Sequence, residues 1–85
     1  MTRDEILQAV RKEVSAIITP FRVGFDEDDY DVPFPELGSD SLDDIEVIIA
    51  IETKLGVEIP DDEIPEVLTI NSLTSAVATK VLHED

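Results

Sequence analysis

Three stretches of this chain place apolar residues at helical spacing, and the alternating Val57-Glu58-Ile59 is too short to make a good strand. The first stretch opens with Thr2-Arg3-Asp4-Glu5, which matches a capping box. Ile6, Leu7, Val10, Val14, Ile17 and Ile18 then mark one face, with Arg3, Gln8, Arg11, Lys12 and Glu13 on the other. Pro20 disfavours helical geometry at Thr19, so a helix is predicted over residues 3–18. A last helix is predicted over 71–82, capped by Thr69 or Asn71. Its apolar face holds Ile70, Leu73, Ala76, Val77 and Val81, with Thr74, Ser75, Thr79 and Lys80 mostly outward. The tail His83-Glu84-Asp85 is expected to fray.

The middle helix is predicted over 41–55, ended by Gly56 as a C′ residue. Ile45, Ile48, Ile51 and Leu55 form one arc, with Val47 at its edge, and this arc is read as the core face. A second arc, Leu42, Glu46, Ile49 and Thr53, lies beside it, flanked by Asp43 and Glu52. It reads either as a wide core stripe or as a docking face with apolar anchors among steering charges.

Residues 19–39 show no clear period, and Pro33 and Pro35 block regular hydrogen bonding. All three phenylalanines lie here, so this long connection is expected to be pinned across the core by its aromatic side chains. Within it, Asp26-Glu27-Asp28-Asp29-Tyr30-Asp31 fails as a calcium loop. Counted from Asp26, the fifth, sixth and twelfth positions are Tyr30, Asp31 and Leu37 in place of an oxygen ligand, glycine and glutamate. It reads as a solvated acidic loop. Asp61 caps a short helix over 61–67, which Pro65 reduces to a 3₁₀ turn or restarts with itself at N1. The expected fold is a single all-α domain over 1–85: a small bundle of three main helices and one short helix, with a long first loop.

Charge and composition narrow the function. With 21 acidic and 6 basic residues the net charge is −15, which argues against nucleic-acid phosphates as partners. It suits basic protein partners found by electrostatic steering, or serves solubility alone. No cysteine is present, so there is no thiolate metal site or catalytic thiol. No signal-peptide pattern and no membrane-length apolar run appear, and the chain is read as a soluble, cytoplasmic monomer.

Leu37-Gly38-Ser39-Asp40-Ser41-Leu42-Asp43 stands at the start of the middle helix. Ser39 and Asp40 are both good N-caps, which places Ser41 in the first turn, where backbone N–H groups are unpaired. A phosphate ester on its hydroxyl would lie at the positive end of the helix dipole. The plain reading is a capping serine. Serine catalysis is disfavoured, because the lone histidine, His83, is in the tail. No pair of carboxylates stands out for hydrolytic chemistry.

That heptad, the acidic apolar helix after it and Glu58-Ile59-Pro60-Asp61 together resemble an acyl carrier protein, over nearly the whole chain. The resemblance implies that Ser41 carries 4′-phosphopantetheine, added from coenzyme A by a phosphopantetheinyl transferase, and that the thiol of the arm holds an acyl group as a thioester. It implies that Asp40 is the acid preceding the family's serine. It implies that Leu42, Asp43, Glu46, Ile49 and Glu52 dock enzymes with basic patches that make or transfer acyl groups, in fatty-acid or specialised lipid and secondary-metabolite synthesis. Walls lined by Ile45, Ile48, Ile51, Val57, Ile59, Leu68 and Val77 are expected to part around an acyl chain. No metal and no catalytic residue are implied. The aromatic, acidic segment from Phe21 to Pro35 and the interruption at Pro65 depart from the family pattern and point to a specialised member. The other class of reading is an unmodified acidic protein-interaction module.

Self-repulsion at this net charge weakens the fold at low ionic strength. Raising NaCl from 10 to 300 mM is expected to lift the thermal midpoint by roughly 5 °C. A flat midpoint by circular dichroism would show that the charges are already compensated.

Overall fold

The computed structural model describes residues 1–18 and 26–82. Three α-helices, α1 (Arg3–Ile17), α2 (Ser41–Leu55) and α3 (Ile70–Leu82), are joined by connections that hold short 3₁₀ turns. No strand occurs among the described residues. The fold is all-α, with α1 packed against both α2 and α3.

The start of each helix is fixed by a short polar side chain. Glu5 N–H donates to Thr2 Oγ1 at 3.2 Å and Thr2 N–H to Glu5 Oε1 at 2.9 Å, a reciprocal capping box. The Thr2 N–H first, and then the Thr2 hydroxyl, hold the Glu5 carboxyl below the usual range. The stabilisation they bring is present above the unfolded pKa and is lost as pH falls through the folded one. Thr69 and Ser72 cap α3 reciprocally, with Ser72 N–H donating to Thr69 Oγ1 at 2.9 Å and Thr69 N–H to Ser72 Oγ at 3.1 Å. Asn71 is not the cap. Its side chain donates to Asp31 at 2.9 Å and its N–H to the Tyr30 carbonyl at 3.0 Å, tying the first loop to α3.

The core joins Ile6, Val10 and Val14 of α1, Val47, Ile48 and Ile51 of α2, and Ile70, Leu73, Val77 and Ala78 of α3. Phe34, Ile59 and Val67 close it from the connections. Burying a branched or aromatic side chain of this size contributes about 1.5–3 kcal/mol. Surface ion pairs such as Lys54–Glu13, at 3.7 Å, are worth at most about 1 kcal/mol. Apolar burial therefore outweighs them.

The structure differs from the sequence expectation at two places, the buried face of α2 and Thr74. The α2 core face is rotated: Asp44, Val47, Ile48 and Ile51 are buried, whereas Ile45 is 44% exposed. The angular spacing of Val47 and Ile51 already centres the face between 44 and 48. Thr74, expected outward, is buried, because α3 turns it toward the core beside Leu73 and Val77. Ala76 and Val81 lie at the edge of that face and are half-buried. Of the two readings offered at Pro65, the structure holds the 3₁₀ turn, Ile64–Glu66, since proline supplies no N–H for the first intrahelical bond. The expected packing of Phe21, Val23 and Phe25 and the fraying of the tail lie outside the described residues.

The Thr74 hydroxyl is buried with no hydrogen-bond partner among the described residues. Such a group costs about 1–3 kcal/mol. Thr74→Val is therefore expected to stabilise the protein by about 1 kcal/mol, read from urea unfolding with an unchanged slope. Destabilisation would show that the hydroxyl has a partner in solution.

Candidate functional site

The site is built on the turn that enters α2. Phe34–Leu37 form a 3₁₀ turn with Phe34 fully buried, and Gly38 follows with φ 105°. That left-handed conformation, natural to glycine, reverses the chain toward the helix. Asp40 is the N-cap: Asp43 N–H donates to Asp40 Oδ1 at 2.8 Å, and Asp40 N–H to Asp43 Oδ2 at 3.3 Å. Asp43 is thereby half-buried and engaged in the cap.

Ser41 is the first residue of α2 and is exposed. Among the described residues its hydroxyl has no hydrogen-bond partner. It stands where the unpaired N–H groups and the helix dipole favour an anion. An exposed, uncommitted hydroxyl beside such donors fits a phosphate ester.

Asp44 was missed in the sequence, and Ser39, offered there as an N-cap beside Asp40, has a different role. The Ser39 hydroxyl donates to Asp44 Oδ1 at 2.6 Å, and Asp44 is only 8% exposed. The signal for Asp44 was present, since it lies three, four and seven residues before Val47, Ile48 and Ile51 on the buried face. No sequence signal showed which side chain would meet it.

Of the docking candidates, Leu42 is 66% exposed and Ile49 54% exposed, with Glu46 exposed between them. Glu52 is half-buried, and its Oε2 accepts the Ile59 N–H at 2.9 Å. It fixes the connection after α2 as well as carrying charge.

A groove of about 480 Å³ runs beside this face, between α2 and the following connection. Ile45, Ile48, Ile49 and Glu52 form one wall; Glu58, Ile59, Pro60, Asp61 and Ile64 form the other. Of the seven residues expected around an acyl chain, it brings together Ile45, Ile48 and Ile59. Ile51 and Val77 are fully buried in the core, and Val57 and Leu68 pack half-buried against it. The acidic run Asp26–Asp31 folds into a 3₁₀ turn, Glu27–Asp29, capped by Asp26. No cluster of metal-ligating side chains occurs among the described residues. No helix among them is long and apolar enough to cross a membrane.

Comparison with known proteins agrees with this geometry. Residues 22–77 match the family model described as a phosphopantetheine attachment site. The chain is 38% identical over 80 residues to an acyl carrier protein of Rubrobacter xylanophilus, covering 91% of this chain and 93% of that protein. It is 34% identical over 87 residues to one of Thermosynechococcus vestitus, covering 95% and 98%. A shorter match, 45% over 42 residues, joins it to one of Zymomonas mobilis, covering 49% and 54%. No solved structure matches the chain. The chain belongs to the acyl carrier protein family. Its role is that of an acyl carrier using a covalently attached 4′-phosphopantetheine. Membership implies a phosphopantetheinyl transferase and acyl-handling enzymes as partners.

Removing the Glu52 carboxylate releases the Ile59 amide. In Glu52→Ala, hydrogen exchange at Ile59 is expected to quicken at least tenfold, while Glu46→Ala leaves it unchanged. Equal protection in both variants would show that Glu52 does not hold the groove wall.

Proposed function

We propose that Ser41 is the attachment residue and that the chain works as a carrier and not as a catalyst. The observation that carries this reading is the exposed first-turn serine, whose hydroxyl has no partner among the described residues, at a helix start capped by Asp40. Because no group on the described chain accepts the Ser41 proton, the transferase supplies the base as Ser41 Oγ attacks the phosphorus of coenzyme A that bears the pantetheine arm; the pyrophosphate bond breaks and adenosine 3′,5′-bisphosphate leaves. The arm, once attached, supplies the thiol that this cysteine-free chain lacks, and on it the cargo is held as a thioester. Tethering raises the effective concentration of that cargo at each docked enzyme.

Leu42 and Ile49 act as apolar anchors for those enzymes, with Asp43, Glu46 and Glu52 presenting charge to basic patches around them. Ile45, Ile48 and Ile59 line the groove beside them and form the part of the expected acyl shelter that is already open. The whole chain acts as one carrier domain, monomeric and cytoplasmic, with no nucleic-acid partner. The 3₁₀ turn at Pro65 and the acidic turn Glu27–Asp29 support a specialised carrier. An unmodified acidic interaction module has no comparable support.

The test is intact mass after incubation with coenzyme A and a promiscuous phosphopantetheinyl transferase. The wild-type chain is expected to gain one phosphopantetheine, and Ser41→Ala, equally helical by circular dichroism, none. A gain in Ser41→Ala would move the attachment elsewhere.

A further inference from the structure

We infer that the Ser39–Asp44 hydrogen bond is a positioning device for Ser41: it locks the turn that delivers this serine to α2 and thereby sets how fast its hydroxyl is modified. The inference rests on Ser41 being the attachment residue.

Asp44 is the only buried charged residue among the described residues. Its neighbours on the buried face of α2 are Val47, Ile48 and Ile51, and an apolar side chain would suit that place. A carboxylate there is costly unless it is hydrogen-bonded. Its bond to Ser39 Oγ, at 2.6 Å, has the length of a charge-assisted O–H···O⁻ contact. The first turns of α2 also favour negative charge. Stability alone does not call for this arrangement, since well-packed apolar groups commonly do as well as buried charged ones.

What the bond does is geometric. Ser39 N–H donates to the Phe34 carbonyl at 3.2 Å, and Phe34 is fully buried. Ser39 is therefore held on one side to the core through the loop and on the other to α2 through Asp44. Asp40 and Ser41 lie between these two attachments. The capping box of Asp40 and Asp43 starts the helix but does not fix its angle to the preceding loop. Ser41 has no side-chain partner of its own among the described residues, so its direction is inherited from this backbone. Transfer to a hydroxyl depends steeply on where that hydroxyl is held.

The experiment uses the full chain and measures initial rates of phosphopantetheine transfer from coenzyme A. Ser39→Ala is expected to lower kcat about tenfold. KM for the carrier should stay within about twofold, because Leu42, Glu46 and Ile49 are untouched. Ser39→Thr, which keeps the hydroxyl, restores the rate. Asp44→Val suits the apolar surroundings and keeps the thermal midpoint, yet is slowed like Ser39→Ala. The double variant is no slower than either single one. Wild-type kcat in folded Ser39→Ala and Asp44→Val would overturn the inference, as would a change confined to KM. If the wild type itself gains no mass, the attachment reading fails. The positioning claim is then judged by 15N relaxation, where both variants should show greater motion at the Asp40 and Ser41 amides. Unchanged order there would overturn it.

Discussion

Phe34 sits between two prolines in a segment without helical or strand periodicity, yet its ring is wholly buried. Its N–H donates to the Leu68 carbonyl at 2.8 Å, across the entrance to α3, and its carbonyl accepts from Ser39. The long first connection is thereby held at one point to the core, to the segment that enters the third helix and to the turn before Ser41. Burial of a ring offsets the entropy of ordering an irregular loop. The bond between Asn71 and Asp31, and the placement of the Arg11 guanidinium 5.7 Å from the centre of the Tyr30 ring, add smaller restraints to the same loop. The height and direction at which α2 begins follow from this anchoring.

A chain carrying −15 must place its acids where they repel one another least, and many of them are used structurally. Glu5, Asp26, Asp29, Asp40, Asp43 and Glu52 each accept a backbone N–H. Most of these bonds lie at a helix or turn start, where negative charge is favoured. The cation inventory is small, and Lys54 and Lys80 pair with Glu13 and Glu63. Glu46, exposed on α2 between Leu42 and Ile49, is left to act outward.

The middle helix presents three faces, one buried, one exposed and one beside the groove, and its periodicity alone does not apportion them. Val47, Ile48 and Ile51 face the core, Leu42 and Ile49 face solvent, and Ile45 stands between, beside the groove. Six apolar residues within seven positions, every one from Ile45 to Ile51 except Glu46, make the buried arc ambiguous by about one residue. The decision belongs to α1, which packs against one side of α2 and leaves the other open. Likewise Thr74 was assigned outward on polarity, whereas its place on α3 beside Leu73 and Val77 turns it inward.

Local chemistry determined much of this protein in one dimension. Helix starts were legible from Thr2 and Asp40, the stop at Gly56 from its left-handed preference, and the exposed serine from its place after a cap, because each depends on residues within one helical turn. The family signature around Ser41 is equally local. Only the tertiary structure decided which arc of α2 is buried, that Phe34 anchors the loop, that Glu52 bonds the Ile59 amide, and that Ser39 meets Asp44 in a buried place. These outcomes depend on which surfaces meet when three helices pack, and on which polar groups burial then obliges to find partners.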